Sequence, residues 1–197
     1  MLSERGSKAE LVAYDIRRRR AIKLLTGPLG QAAWSPDGRR IAFSRATYGR
    51  DGYLAGTGIG LFEPATGSIE LLTSDGVEPA WSPDGKRIAF SSLDDTVGKR
   101  CDEDGCVPIE EIDVIDADGG GRRRLTHTRT TGEGAPTWSP DGRRLFVRTI
   151  SGTSSYGART GLATMAADGS CYRRLDGVSR FAHLDPAAWR PVPGRSC

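Results

Sequence analysis

One phrase constrains this chain more than anything else in it. Trp-Ser-Pro-Asp-Gly occurs at Trp34, at Trp81 and at Trp138, and a weakened copy, "PAAWRPVPG", carries Trp189. The copies recur roughly every 50 residues, a period that belongs to stacked or radial repeats, and such a repeat settles the fold before any local propensity does. A second phrase lies upstream of each copy: "AIKLLT", "SIELLT", "RRRLT" and "CYRRLD". A third lies between them: "LVAYDI", "IGLFEP", "IDVIDADG" and "LATMAADG".

Each unit therefore parses into four short strands, A to D. Strand A ends on the tryptophan, and Ser-Pro-Asp-Gly then makes a tight turn. Pro36, Pro83 and Pro140 preset φ, Asp37, Asp84 and Asp141 suit the next position, and Gly38, Gly85 and Gly142 accept the positive φ that follows. Strand B is the "RRIAFS" type, in which Ile41 and Phe43 share a face by two-residue alternation. Strand C ends in the Asp-Gly of the next hairpin turn, and strand D is the "RRRLT" type. Four-stranded units of this length predict an all-β fold, a β-propeller of about four blades, complete or partial. The 26 glycines and 11 prolines agree with many turns.

The phrases "WSPDGRRIAF" and "DADGGGRRRLT" resemble the TolB-type, WD-repeat-like propeller repeat, and the resemblance covers nearly the whole chain. It implies the propeller fold and an extracytoplasmic compartment (periplasmic or secreted). It also implies a protein-binding role, because TolB serves as a partner in a cell-envelope complex. The same repeat occurs in peptidase propellers, so a fragment of a peptidase-like enzyme is the alternative.

The units run roughly 31–77, 78–134 and 135–184, with partial units at 1–30 and 185–197, all within one domain. Ser3 falls where Ser44 falls, so the first residues resemble the stump of a strand B. Two closures follow. Strand A from the C-terminal stretch joins B, C and D from the N-terminal stretch, or the chain is the C-terminal part of a longer propeller. Two chains pairing open strand edges into a homodimer is a further expectation. "MLSERGSKAE" has neither the charged nor the apolar region of an export signal, which leaves a cytoplasmic protein as the alternative compartment. No apolar run reaches the length of a membrane span.

Cysteine placement bears on compartment. Cys101 and Cys106, in "RCDEDGCV", lie close enough to bridge one loop, and Cys171 sits in a C–D turn within reach of Cys197. Two such disulfides fit an oxidising compartment; four free thiols are the alternative. A zinc site at Cys101 and Cys106 lacks two further ligands at the usual spacing, so no metal and no cofactor are expected.

Function is expected on one face. The A–B and C–D turns share a face and are nearly identical between units, whereas the B–C and D–A loops on the opposite face are long and dissimilar. There lie Tyr48, Tyr53, His127, Arg129, Glu133, Tyr156, Arg180 and His183, with Gln31, Glu78 and Asp185 near the axial mouth. Loops on a rigid scaffold are the usual place for recognition, and Tyr with Arg is typical of interfaces. The expectation is thus a non-enzymatic scaffold for a protein or peptide. No serine sits in a Gly-x-Ser-x-Gly elbow, and "GTGIG" leads into a strand where a phosphate cradle needs a helix. The acidic "CDEDGC" departs from the EF-hand ligand order; a carbohydrate- or calcium-binding propeller is kept as a minor alternative. The repeated tryptophans read as packing between neighbouring blades, not as a ligand platform. Arg17 to Arg20 and Arg122 to Arg124 read as solvated edge arginines. A net charge of +3 without a recognised module does not predict nucleic-acid binding.

Overall fold

A computed structural model describes residues 9–48, 54–93, 99–102, 105–128, 130–151 and 159–175. Every regular element among them is a strand. In chain order these are β1 (Ala9–Asp15), β2 (Arg20–Gly27), β3 (Leu29–Trp34), β4 (Ile41–Tyr48), β5 (Leu54–Glu63), β6 (Ser68–Thr73), β7 (Val77–Trp81), β8 (Arg87–Ser92), β9 (Lys99–Asp102), β10 (Gly105–Pro108), β11 (Glu111–Asp116), β12 (Arg123–Arg124), β13 (Thr131–Trp138), β14 (Arg144–Ser151), β15 (Arg159–Ala166) and β16 (Arg173–Leu175). They form three four-stranded antiparallel sheets, β3-β4-β5-β6, β7-β8-β11-β12 and β13-β14-β15-β16, and two hairpins, β1-β2 and β9-β10. The three sheets are blades I, II and III, each in the A-B-C-D order read from the repeat.

The blades stack face to face with the A strands innermost, β7 packing between β3 and β13. Alternation along strand B builds one core per blade boundary. Ile88 and Phe90 of β8 face blade I and meet Ala42, Ile59, Leu61 and Leu72. Ala89 of the same strand faces blade III, where Trp138, Leu145, Val147 and Met165 complete a second core. Ile41 and Phe43 share a face, as the alternation predicts, and pack with Phe62 against Leu11, Leu24 and Leu25 of the β1-β2 hairpin. Gly60 makes room for the Phe43 ring, which a side-chain carbon there would approach to 2.6 Å.

The hairpin β1-β2 holds the place of strands C and D in the unit before blade I. Strand β1 packs on β3 as β5 packs on β7 and as β11 packs on β13. Its outward face carries exposed Val12 and Tyr14, with Ile16 just beyond. Among the described residues it has no substantial packing against blade III, so these residues form an arc of three blades and a half.

The Ser-Pro-Asp-Gly turn has a hub that the proline, aspartate and glycine reading overlooks. The Ser35 hydroxyl donates to Asp37 Oδ1 at 2.6 Å and accepts the Arg40 N–H at 2.9 Å. The Gly38 N–H closes the turn on the Ser35 carbonyl at 2.9 Å, with Gly38 at φ 69°. Ser82 with Asp84, and Ser139 with Asp141, repeat the 2.6 Å bond. The serine hydroxyl bond and the next backbone N–H hold all three aspartates below the usual carboxylate range.

The tryptophans join blades. Trp81 Nε1 donates to the Ala33 carbonyl, and Trp138 Nε1 to the Ala80 carbonyl, each at 3.1 Å. An arginine from the preceding blade roofs each ring: Arg40 lies 5.1 Å from the Trp81 centroid and Arg87 lies 4.8 Å from that of Trp138. Trp81 and Trp138 are 8% and 6% exposed, and the packing reading stands for both; Trp34 is 49% exposed. Trp189 lies outside the described residues.

Two arginines of the 122–124 run are not free edge charges. Arg122 Nε donates to Asp113 Oδ2 at 2.8 Å and Nη2 to Asp75 Oδ2 at 2.7 Å, while Arg124 Nε donates to Asp113 Oδ1 at 3.1 Å. Asp113 is buried, and a buried carboxylate requires such partners. Arg123 reaches blade III, donating to the Ala167 carbonyl at 3.1 Å.

Candidate functional site

The face opposite the Ser-Pro-Asp-Gly turns receives the ends of the B strands and the starts of the A strands. Each A strand carries a bulge a few residues before its tryptophan. Register slips between Leu29 and Ala32, between Val77 and Ala80, and between Gly134 and Thr137. Glu78 and Ala135 take φ of 56° and 49° there, a region few residues other than glycine adopt, so the surroundings must hold them. What holds them is the neighbouring B strand. The Glu78 N–H donates to Ser44 Oγ at 3.0 Å, and the Ala135 N–H to Ser91 Oγ at 3.1 Å.

Glu78 goes further and ties blades II and III at the axis. Its Oε2 accepts the Ser91 hydroxyl at 2.7 Å and the Ala135 N–H at 2.7 Å. Arg148 occupies the position in blade III that serine holds in blades I and II. Its Nη2 lies 3.4 Å from Glu78 Oε1 and 3.3 Å from Glu110 Oε2. A side-chain carbon on Gly134 would come within 2.8 Å of Arg148 Nη2 and of Glu110 Oε2, so a larger residue there would push the ends of these two side chains aside. The axial end of the arc is thus a preformed polar cluster of two carboxylates and one guanidinium.

Beside it lies a depression of about 160 Å³. Its walls are the bulge at Leu29, Gly30 and Gln31, the end of β4 from Ser44 through Arg45 and Ala46 to Tyr48, Thr57 of β5, and Val77 of β7. Tyr48 stands 43% exposed at its rim. The backbone of the bulge, Arg45 and Tyr48 therefore border one concavity.

A second cluster supports the D–A loop between blades II and III. Thr128 Oγ1 is 2.6 Å from Glu133 Oε2 and 3.3 Å from Glu111 Oε1, and it also meets the Thr131 carbonyl. The Thr128 N–H donates to Glu111 Oε1 at 2.7 Å, and the Tyr172 hydroxyl to Glu133 Oε1 at 2.9 Å. Both carboxyls are buried. One threonine proton cannot satisfy three acceptors, so a further proton on Glu133 fits the geometry. Burial, opposed by the Thr128 and Tyr172 bonds and reinforced by the Glu111 charge, raises Glu133 to about 7. Burial also raises Glu111, and burial with the Glu133 charge raises the Tyr172 phenol.

The structure separates the residues that the sequence grouped. Tyr48 and Glu78 lie at the axial mouth, Tyr48 exposed and Glu78 engaged by its neighbours. His127 is exposed on the D–A loop. Glu133, expected on an exposed loop, is fully buried and supports that loop from beneath. Tyr53, Arg129, Tyr156, Arg180, His183 and Asp185 lie outside the described residues. Cys101 and Cys106 are bonded, pairing across β9 and β10. Cys171 is also disulfide-bonded, while Cys197 lies outside the described residues. Arg45, Arg148, Glu110 and Ser91 escaped the sequence reading. The available signal was Arg148 standing where the other copies of "FS" place serine.

Comparisons with known proteins agree on fold. No family model matches the chain, and no curated protein does. Among solved structures, a study of two prolyl endopeptidases gives a match at 19% identity and TM-score 0.58, over 89% of this chain and 27% of that one. The β-propeller domain of the Trilobed protease from Pyrococcus furiosus matches at 14% identity and TM-score 0.52, over 75% of this chain and 42% of that one. TolB from Acinetobacter baumannii matches at 21% identity over 84% of this chain and 48% of that one; its TM-score is 0.40, and the fold is argued from the other two. The chain spans less than half the length of each. The fold is a β-propeller.

Proposed function

We propose that this chain is a non-enzymatic recognition scaffold that takes a protein or an extended peptide at its axial mouth, on the extracytoplasmic side of a cell. The observation that carries the reading is the depression between the β3 bulge, Arg45 and Tyr48. Ser44 in its wall accepts the Glu78 N–H of the next blade, and Glu78 in turn accepts the Ala135 N–H of the blade after, so a partner would meet groups already in place, which lowers the ordering cost of binding. The disulfide between Cys101 and Cys106 supports an oxidising compartment.

The test is selection of displayed random peptides against the full chain. Tyr48→Ala and Arg45→Ala should each weaken the selected ligands at least about tenfold, the scale of a modest interface hot spot. Arg39→Ala, on the opposite face, should leave them unchanged. Ligands indifferent to Tyr48 and Arg45 but lost with Arg39 would move recognition to the turn face and end this reading.

A further inference from the structure

The tip of the hairpin β1-β2 carries the longest run of positive charge in the chain, and neither the blade cores nor the axial mouth uses it. Arg17, Arg18, Arg19 and Arg20 are consecutive and all exposed. One carboxylate stands beside them, and it shapes the turn. Asp15 Oδ1 accepts the Arg17 and Arg18 N–H groups at 3.0 and 2.9 Å, and Oδ2 pairs with Arg18 Nη1 at 3.3 Å. Arg17, Arg19 and Arg20 have no ion-pair partner among the described residues. The run at 122–124 differs, because its arginines are bonded to Asp113, Asp75 and the Ala167 carbonyl. Ile16 heads the exposed run, and at 82% it is the most exposed large apolar side chain among the described residues.

By position the tip is a C–D turn. In blades II and III that turn is bonded to the A–B turn beside it, Ala117 N–H to the Lys86 carbonyl and Ala167 N–H to the Arg143 carbonyl, each at 2.9 Å. The tip therefore lies on the turn face, where Arg39, Lys86 and Arg143 add one exposed cation per blade. Each of those turns also carries its aspartate, so its charge is near balance. The excess sits at the hairpin tip, four guanidiniums against one carboxylate.

We infer that this tip docks the chain on the surface of a bilayer rich in anionic lipid. Ile16 enters the boundary between headgroups and acyl chains, and Arg17, Arg19 and Arg20 meet lipid phosphates. Two features select a bilayer over a soluble polyanion. A nucleic acid or an acidic polypeptide would satisfy the arginines and leave Ile16 in water, whereas a bilayer takes up the apolar side chain and the cations around it together. Arginine also suits this boundary, since its aliphatic stem can follow Ile16 while the forked guanidinium stays among the phosphates. Docked in this way, the chain holds its axial mouth on the face away from the bilayer. The inference stands on the hairpin tip and does not rest on the recognition reading.

Co-sedimentation of the full chain with phosphatidylcholine vesicles, with and without phosphatidylglycerol, tests it. Binding should require the anionic lipid and weaken as salt rises. Arg17→Ala and Arg20→Ala should each weaken it about fivefold, the scale of one cation at such a surface. Ile16→Ser should weaken it severalfold with every arginine still in place. An unchanged Tm in the three variants shows that the blades remain folded. A folded chain that anionic vesicles fail to pellet overturns the inference. So does binding indifferent to Ile16→Ser, which would mean that charge alone is at work and that any polyanion serves. A preference for duplex DNA over the anionic vesicles at equal salt also overturns it and assigns the tip to nucleic acid.

Discussion

At the residue scale, the serine of the repeated turn carries more than its small side chain suggests. Its hydroxyl both donates to the aspartate and accepts a backbone N–H across the turn, and Ser82 is fully buried. Ser82→Ala leaves the Arg87 N–H and one aspartate oxygen without that partner, at a cost of about 1–3 kcal/mol for an unsatisfied buried group. Thermal unfolding should show a lower Tm, with Pro83→Ala smaller in effect. Glu133 makes a different prediction. Its native carboxyl is raised from 4.5 to about 7, so the folded state holds this proton more tightly than the unfolded chain. The stabilisation is therefore full below about 4.5 and is lost as pH rises through about 7. Glu133→Gln, which keeps the bonds to Thr128 and Tyr172 without the charge, should flatten the fall in Tm between pH 5 and pH 8 and leave the variant more stable than its parent at pH 8. Parallel Tm curves for the two proteins would refute that account.

At the element scale, the hairpin β9-β10 is a two-stranded sheet apart from the blades, clasped by Cys101–Cys106. A lone hairpin is marginal in water, so its strand pairing should depend on the clasp while the blades should not. Cys101→Ser with Cys106→Ser is expected to leave the main unfolding transition within a degree or two and to speed amide exchange at residues 99–108. A large drop in Tm would show that the hairpin braces the blades. The strands themselves were legible in the sequence because turn chemistry and alternation are local signals: Gly38 and Phe43 announce their conformation and face within a few residues. The bulge at Glu78 was not, because its positive φ is imposed by Ser44 of another blade, 34 positions away. The same holds for the site. Tyr48 could be placed on the right face from its loop, but nothing near Glu133 in sequence says that Glu111 and Tyr172 enclose it.

At the scale of the whole molecule, burial runs along the arc. Blade II is covered on both faces by cores that include Ile88, Phe90, Ala89 and Val114, whereas the hairpin β1-β2 has one face in solvent. Native-state hydrogen exchange should therefore protect β8 and β11 most and β1 and β2 least. Equal protection across all blades would mean that the arc opens only as a unit.

The arginine roof and the indole-to-carbonyl bond recur from blade I to II and from II to III, so the leading side of one blade fits the trailing side of any other. A chain built on such an adaptor is indifferent to how many units it strings together. Copying the segment for blade II in tandem would add one more tile to the mosaic without asking any neighbour to change, and what such a lineage could not easily do is alter one boundary alone.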